Sequence, residues 1–382
     1  MKLLLVNYEY KGQGGGAGQQ LYYLAQSLRD FGHDVSLLIG WDFRLGEPEL
    51  LEGITTHIVK HKRKNIQLST PLGMLFFVFR GLFRINNLTK RDKYDIIQFY
   101  FSVPTGILKY GINGKVPYII SLRGMDIPGL QNDRNKKLSV ITSRLNKRIA
   151  KDAEAVVCNS RESAILYNKF APDITLTVIP NAIELNKDYK TLYTGKVTRF
   201  VTVGRLISWK RIDLIIDCVT KLHEKYPYIM LDIYGQGNLS DKLVKQINDN
   251  NADDYISIKG FIKKDKLLKK LPEYDIFIFA STGDSCPNVL LEAMAVGLPV
   301  VAAKSGGSID IVEDGTTGIF TVPGDLMDTI DKLEYCINNP QRTKEIGLNS
   351  RKRVEEQYCI ISTAQQHENM FSSVIEKRRG SA

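Results

Sequence analysis

Two carboxylates eight residues apart, Asp284 and Glu292, stand in the run Asp284-Ser285-Cys286-Pro287-Asn288-Val289-Leu290-Leu291-Glu292. Asp284 follows an apolar strand, Asp275 to Ala280, in a segment of small residues and proline where an acidic group is free to face a ligand. Glu292 opens a helix turn whose Leu290, Leu291, Ala293 and Met294 pack on a sheet, which leaves Glu292 on the polar side near the helix N-terminus. Backbone N–H groups at such an end attract anions. A carboxylate beside an anion site suits the hydroxyls of a ribose whose diphosphate rests on the helix, which is the geometry of a nucleotide sugar. The plainer alternative is an acidic first turn that complements the helix dipole and binds nothing.

A second group of chemical interest is Val203-Gly204-Arg205-Leu206-Ile207-Ser208-Trp209-Lys210-Arg211, between a strand and the helix Ile212 to Tyr226. Arg205 can hold a diphosphate bidentately while Lys210 acts as a mobile point charge. The loop leaves the carboxyl end of its strand, as Asp284 does, and open α/β sheets bind ligands at those ends. A surface loop with incidental charges is the alternative.

The elements that must position these groups alternate between apolar strands and helical patterns. Strands are expected at Leu3 to Asn7, Asp34 to Ile39, Ile96 to Phe99, Tyr118 to Ser121, Ala155 to Cys158 and Thr177 to Ile179. The scheme repeats at Arg199 to Val203, Met230 to Tyr234, Ile256 to Lys259, Ile276 to Ala280 and Val300 to Ala303. A βα repetition used twice implies two doubly wound parallel sheets. The polar, aperiodic stretch 181–197 reads as a linker between an N-terminal domain, 1–180, and a second domain, 198–356. A terminal helix at about 357–379 is left over to pack back onto the first domain.

The 382 residues, 43% apolar and 25% charged, suit two folded domains and exclude fibrous or disordered classes. Five scattered cysteines with no CxxC pair indicate neither a disulfide framework nor a zinc site and point to a reducing, cytoplasmic setting. Met1 to Asn7 is too short for a signal peptide and reads as a buried strand, and no segment is long enough to span a bilayer.

After the first strand comes Gly12-Gln13-Gly14-Gly15-Gly16-Ala17-Gly18, then a helix, Gln19 to Asp30. Glycines there let backbone approach a phosphate or sugar. A dinucleotide site would also want an acid closing the second strand, where Asp42 comes late, so nicotinamide binding is disfavoured.

The net charge is +10, and residues 1–180 hold 25 Lys+Arg against 15 Asp+Glu, which is the whole excess. That asymmetry points to an extended anionic partner. Between Lys60 and Lys93 nine basic residues face one acid, Asp92. Within this segment Thr70-Pro71 starts a helix on which Leu72, Leu75, Phe76, Phe79 and Phe83 share a face, with Arg80 and Arg84 beside it. A second helix carries Arg144, Lys147, Arg148 and Lys151 on one face. Two readings stay open: a crossover helix that buries its apolar face on the sheet, or peripheral docking on an anionic membrane through 60–93 and 144–151. Nucleic acid is disfavoured, because no binding motif and no aromatic–basic interleaving is present.

Taken together, the 203–211 loop, the 284–292 run continuing Ala-Met-Ala-Val-Gly-Leu-Pro-Val-Val-Ala, Gly306-Gly307 and the stretch Asp314 to Asp325 resemble the family 4 retaining glycosyltransferases of the GT-B fold. The likeness also takes in the N-terminal glycine loop, Ser121-Leu122-Arg123-Gly124-Met125-Asp126 and Val178-Ile179-Pro180-Asn181-Ala182. It implies two Rossmann-like parallel-sheet domains facing a cleft. It also implies that Glu292 holds the ribose, Arg205 and Lys210 neutralise the diphosphate, and Asp284 touches donor-sugar hydroxyls. Backbone at Gly204, Asn288, Val289 and Leu290 would meet the phosphates, Gly260 and Phe261 would flank the base, and Gly15 and Gly16 would face the phosphate–sugar junction. Two positions depart from the family pattern: Asp284 stands where Glu is usual, and Arg123 where many members carry His. Arg123 with Asp126 would contact donor or acceptor, or form a structural salt bridge.

The reading that follows is transfer of a sugar from a nucleoside diphosphate donor, UDP favoured, to a glycan or lipid-linked acceptor hydroxyl with retained configuration, in surface polysaccharide or glycoconjugate synthesis. No Asp-x-Asp motif sits in a suitable loop, so neither a metal nor another cofactor is expected. The expected location is the cytoplasm, and the inner face of the membrane if the docking reading of 60–93 and 144–151 holds. A sugar-nucleotide epimerase of the same fold and a catalytically weak nucleotide-sugar binder are the rival readings.

Overall fold

A computed structural model describes residues 1–66, 68–124, 126–128, 136–185 and 195–380, with backbone only for 136–141. Met125 and most of the expected linker, 186–194, therefore lie outside the described residues. The chain divides into two compact units, Met1–Ala182 with Ile360–Ala382, and Ile183–Cys359.

In chain order the first unit holds β1 (Lys2–Asn7), α1 (Gly16–Asp30), β2 (Asp34–Trp41), β3 (Thr55–Lys60), α2 (Pro71–Arg91), β4 (Ile96–Tyr100), β5 (Tyr118–Leu122), α3 (Lys136–Lys151), β6 (Ala155–Cys158), α4 (Arg161–Phe170) and β7 (Leu176–Val178). All pairings are parallel, in the order β3-β2-β1-β4-β5-β6-β7. The central strands are apolar without alternation because helices cover both faces: every residue of β4 and β5 is buried. β3 was not expected, and its composition explains why. It is an edge strand, Thr-Thr-His-Ile-Val-Lys, with alternating exposure and no continuous apolar run.

The second unit holds β8 (Arg199–Val203), α5 (Ile212–Lys225), β9 (Met230–Tyr234), α6 (Ser240–Asp249), β10 (Ile256–Gly260), α7 (Lys264–Lys270), β11 (Ile276–Phe279), α8 (Asn288–Ala295), β12 (Val300–Ala303), α9 (Ser308–Ile311), β13 (Ile319–Thr321), α10 (Leu326–Asn338) and α11 (Pro340–Gln357). Its sheet runs β10-β9-β8-β11-β12-β13, again all parallel. β13, also unexpected, has three residues and hides inside Asp314 to Asp325.

In each sheet the strand order reverses beside its first strand, between β1 and β4 and between β8 and β11. In open α/β sheets the ligand crevice lies at the carboxyl ends of the strands beside such a reversal. Lys210 follows β8 and Asp284 follows β11, so the second crevice is where both must appear.

The last helix, α12 (Ile360–Gly380), belongs to the first unit. Ala364, Phe371 and Val374 enter its core. His33 Nε2 lies 2.7 Å from Glu368 Oε1, and Arg378 donates to the Lys115 carbonyl at 2.6 Å.

Helix α2 overturns one expectation. Thr70 caps it by accepting from Gly73 N, as the Thr-Pro start implies. The face that packs on the unit is Gly73, Phe77, Gly81, Ile85 and Leu88, whereas Leu72, Leu75, Phe76, Phe79 and Phe83 are 47–64% exposed. The reason is close approach: a Cβ on Gly73 would lie 2.0 Å from the Lys62 carbonyl oxygen, and one on Gly81 2.7 Å from Leu108 Cδ2. Only the glycine-bearing face fits against its neighbours.

Candidate functional site

In the second unit four loops at the carboxyl end of the sheet are locked together by backbone contacts that glycine makes possible. Gly204 N donates to the Tyr234 carbonyl at 2.9 Å and Leu206 N to the Gln236 carbonyl at 3.0 Å. A Cβ on Gly235 would meet Gly204 O at 1.8 Å, and one on Gly237 would meet Leu206 O at 2.1 Å. Across the switch point Thr282 N donates to the Trp209 carbonyl at 2.9 Å, and Gly307 N to the Asp284 carbonyl at 2.8 Å. A Cβ on Gly306 or Gly307 would overlap the Asp284 or Ser285 carbonyl oxygen, so the Gly-Gly pair is the seat on which the Asp284 segment rests.

On this platform Lys210 Nζ sits 2.6 Å from Asp284 Oδ2, with side-chain exposures of 10% and 21%. The expected free carboxylate and mobile cation are thus one ion pair at the crevice. Arg205 is exposed, makes no ion pair among the described residues, and lies 5.5 Å over the Trp209 ring. Phe261 is exposed just past β10, next to Gly260, whose φ of +75° turns the chain there.

Glu292 departs from the expected polar face. α8 begins at Asn288 after Pro287, so Glu292 falls in the second turn, and Leu290 to Ala295 are all buried. Its carboxylate meets Lys264 Nζ of α7 at 3.3 Å. Burial pushes the Glu292 carboxyl above its ordinary range, and Lys264 offsets this only in part. Backbone at Asn288, Val289 and Leu290 forms the first turn of α8, as the anion-site reading requires.

In the first unit the glycine loop folds on itself. Tyr10 and Gln13 exchange two backbone hydrogen bonds, and the Gln13 amide bonds both the carbonyl and the N–H of Asp42. Gly15 N donates to Glu9 Oε2 at 2.9 Å, and a Cβ on Gly14 would overlap Glu9. Gly16 begins α1. Asp42 is buried and accepts from Arg44 and from Arg63 N, which hold its carboxyl well below the usual range, so it is committed to its own loop. That removes the acid a dinucleotide site would need.

Arg123 and Asp126 do not form the alternative salt bridge. Asp126 is buried, its Oδ1 accepts from Arg123 N at 2.8 Å and its Oδ2 from Ser102 N at 2.9 Å. It clamps the loops after β4 and β5. The Arg123 guanidinium donates to Asn181 Oδ1 at 2.9 Å and lies 4.6 Å over the Tyr100 ring. His367 of α12 lines the same small cavity as Arg123, Tyr100 and Thr363. Burial and the nearby Arg123 charge push this imidazole down to about 3. Nothing local in the sequence links His367 to residue 123, since only the return of α12 to the first unit brings the two together.

Among the described residues no group of three or more His, Cys, Asp or Glu side chains is placed to hold a metal ion. None of the described helices is long and apolar enough to cross a membrane.

Two sequence profiles match this chain: "Glycosyltransferase Family 4" over residues 14–187 and "Glycosyl transferases group 1" over residues 186–353. Among curated proteins it is 25% identical to the phosphatidylinositol N-acetylglucosaminyltransferase gpi3 subunit of Schizosaccharomyces pombe, over 96% of this chain and 79% of that one. It is 27% identical to the poly(ribitol-phosphate) alpha-N-acetylglucosaminyltransferase of Staphylococcus aureus, over 57% of this chain and 43% of that one. Among solved structures, Anabaena Alr3699/HepE in complex with UDP superposes with a TM-score of 0.75 at 22% identity, covering 98% of this chain and all of that one.

Proposed function

The chain belongs to the group 1, family 4 glycosyltransferases of GT-B fold, and on that premise we propose that it moves a sugar from a UDP-sugar to a hydroxyl of a glycan or lipid-linked acceptor with retention of anomeric configuration. The single observation that carries the reading is the Lys210–Asp284 pair at 2.6 Å, mounted on loops from adjacent strands at a topological switch point. A UDP complex of a protein with the same fold and the N-acetylglucosaminyltransferase names of two relatives support the choice of donor class and acceptor.

In this reaction the bond between the anomeric carbon and the diphosphate oxygen breaks and a bond from the acceptor oxygen forms on the same face of the sugar. The acceptor's proton passes to the departing phosphate oxygen. Negative charge grows on the diphosphate, and fixed cations already in place stabilise it without reorganising. Arg205 and Lys210 supply those charges, with Gly204 leaving room for close approach and the N-terminal end of α8 adding its dipole. Asp284 holds Lys210 in position and is itself oriented for a donor-sugar hydroxyl. Glu292 takes the ribose and Phe261 with Gly260 the base. To the first unit the reading assigns the acceptor, with Arg123 as its contact, Asp126 positioning the Arg123 backbone, and the Gly15–Gly16 backbone serving the donor. No step requires a metal. The setting is polysaccharide or glycoconjugate synthesis.

The test is a panel of UDP-, GDP- and ADP-sugars scored by thermal shift and slow hydrolysis, on the wild type and Glu292→Ala. UDP-sugars should stabilise and be hydrolysed by the wild type alone, and NMR should show the released sugar in the donor's anomeric configuration. Inverted product, or indifference to every UDP-sugar, would overturn the reading.

A further inference from the structure

Helix α2 carries two apolar faces on opposite sides. Gly73, Phe77, Gly81, Ile85 and Leu88 recur at spacings of four, four, four and three and are buried. Leu72, Leu75, Phe76, Phe79 and Phe83 recur on the other side and are 47–64% exposed. At 3.6 residues per turn the exposed set spans one stripe about 100° wide, turned away from the sheet. The preceding loop exposes two more apolar side chains, Ile66 and Leu68, at 52% and 47%. Scattered exposed hydrophobics need no explanation, but seven on one segment do.

The charges around the stripe identify its occupant. α2 has no Asp or Glu. Lys62 and Lys64 are exposed in the preceding loop, Arg80 and Arg84 flank the stripe, and Lys90 and Arg91 close the helix. Arg80 is fixed by donating to the Lys60 carbonyl at 2.9 Å, and Arg84 lies 3.3 Å from His57 Nδ1, so both cations are held beside the apolar face. The same side chains work against a second copy of the chain, because a two-fold contact through the stripe would bring like charges together. An apolar stripe edged by fixed cations matches acyl chains beneath anionic headgroups.

We propose that the exposed face of α2, with Ile66 and Leu68, seats this chain on the surface of an anionic lipid bilayer. The inference does not depend on the transferase reading, since binding is measured without donor or acceptor. Rings of Phe76, Phe79 and Phe83 enter the acyl boundary and the lysines and arginines stay at headgroup level. Phe79 and Phe83 already pack edge to face at 5.1 Å and present one apolar surface.

The test is flotation of the full chain with vesicles of phosphatidylcholine alone or mixed with phosphatidylglycerol, at low and high salt. The wild type should float with the anionic vesicles, less at high salt, and poorly with neutral ones. Leu75→Ser/Phe79→Ser/Phe83→Ser should lower partitioning by roughly 10²-fold or more while keeping the wild-type Tm and UDP-induced shift, since these side chains are exposed. Arg80→Gln/Arg84→Gln should lower it less and flatten the salt dependence. Failure of the wild type to float on anionic vesicles at low salt would overturn the proposal, as would undiminished flotation of the triple variant. A wild-type dimer that the triple serine variant dissolves, with no flotation by either, would assign the face to a second copy and overturn it as well.

Discussion

Lys210 and Asp284, 74 residues apart in sequence, meet at 2.6 Å on loops from adjacent strands of the second sheet. The pair is mostly shielded from solvent and rests on a glycine seat that leaves Asp284 no room to withdraw. A cation held this way is preorganised for charge that develops during reaction.

Lys210→Met is therefore expected to lower kcat by about 10²–10³, and Asp284→Asn by a similar order, because either change releases the other partner. If the two act as a unit, the double variant will lose little more than the worse single one, a non-additivity that a steady-state double-mutant cycle measures. Full additivity would mean that the pair has no joint role.

Arg205 is exposed and stacked on Trp209 instead of ion-paired. Its charge is available to a diphosphate, so Arg205→Ala should cost about 10²–10³ in kcat with Tm unchanged. Turnover should persist in EDTA, since these two cations carry the leaving-group charge. A rate abolished by chelation and restored by a divalent ion would contradict the metal-free mechanism.

Glu292 gives a pH signature. Its carboxyl is held above the ordinary range by burial, so the folded protein binds this proton more tightly than the unfolded chain. That contribution to stability is complete below the ordinary carboxylate pKa and is lost as pH rises through the raised folded value. Glu292→Gln should accordingly have a higher Tm than wild type at pH 7–8, with the gap closing towards pH 4. The same variant should lose the stabilisation that UDP confers on the wild type. Parallel Tm–pH curves for the two proteins would refute the assignment.

Gly307 tests the seat itself. A Cβ there would lie 1.9 Å from the Ser285 carbonyl oxygen. Gly307→Ala must push the Asp284 segment away, at a cost of roughly 1–3 kcal/mol, the usual scale of overpacking. Thermal unfolding should show that loss together with weaker UDP binding. Gly32, with open space around its Cβ position, is the contrasting site: Gly32→Ala meets only the penalty of its φ of +87° and should leave UDP binding intact.

Several features were legible along the chain because they are local. The strands β1, β2 and β4 to β12 announce themselves as apolar or alternating runs, and the Thr70-Pro71 start of α2 as a cap. The glycine pair 306–307 was visible as a motif, but its purpose was not, since the carbonyls it admits belong to residues 284 and 285. β3 was missed as a half-exposed edge strand without a continuous apolar run, and β13 because it is only three residues long.

By itself, the sequence determined the twofold βα repetition, the concentration of positive charge before residue 181, and the residue types at the second switch point, because each depends on neighbours within a few positions. Only the tertiary structure decided that Lys210 is tied to Asp284, that Glu292 lies buried against Lys264, that His367 stands beside Arg123, and that α2 turns its leucines and phenylalanines outward. These are contacts across long sequence separations or choices between two faces of one helix. A hydrophobic pattern gives a helix its faces, but which of them is buried depends on whose backbone comes close enough to require glycine.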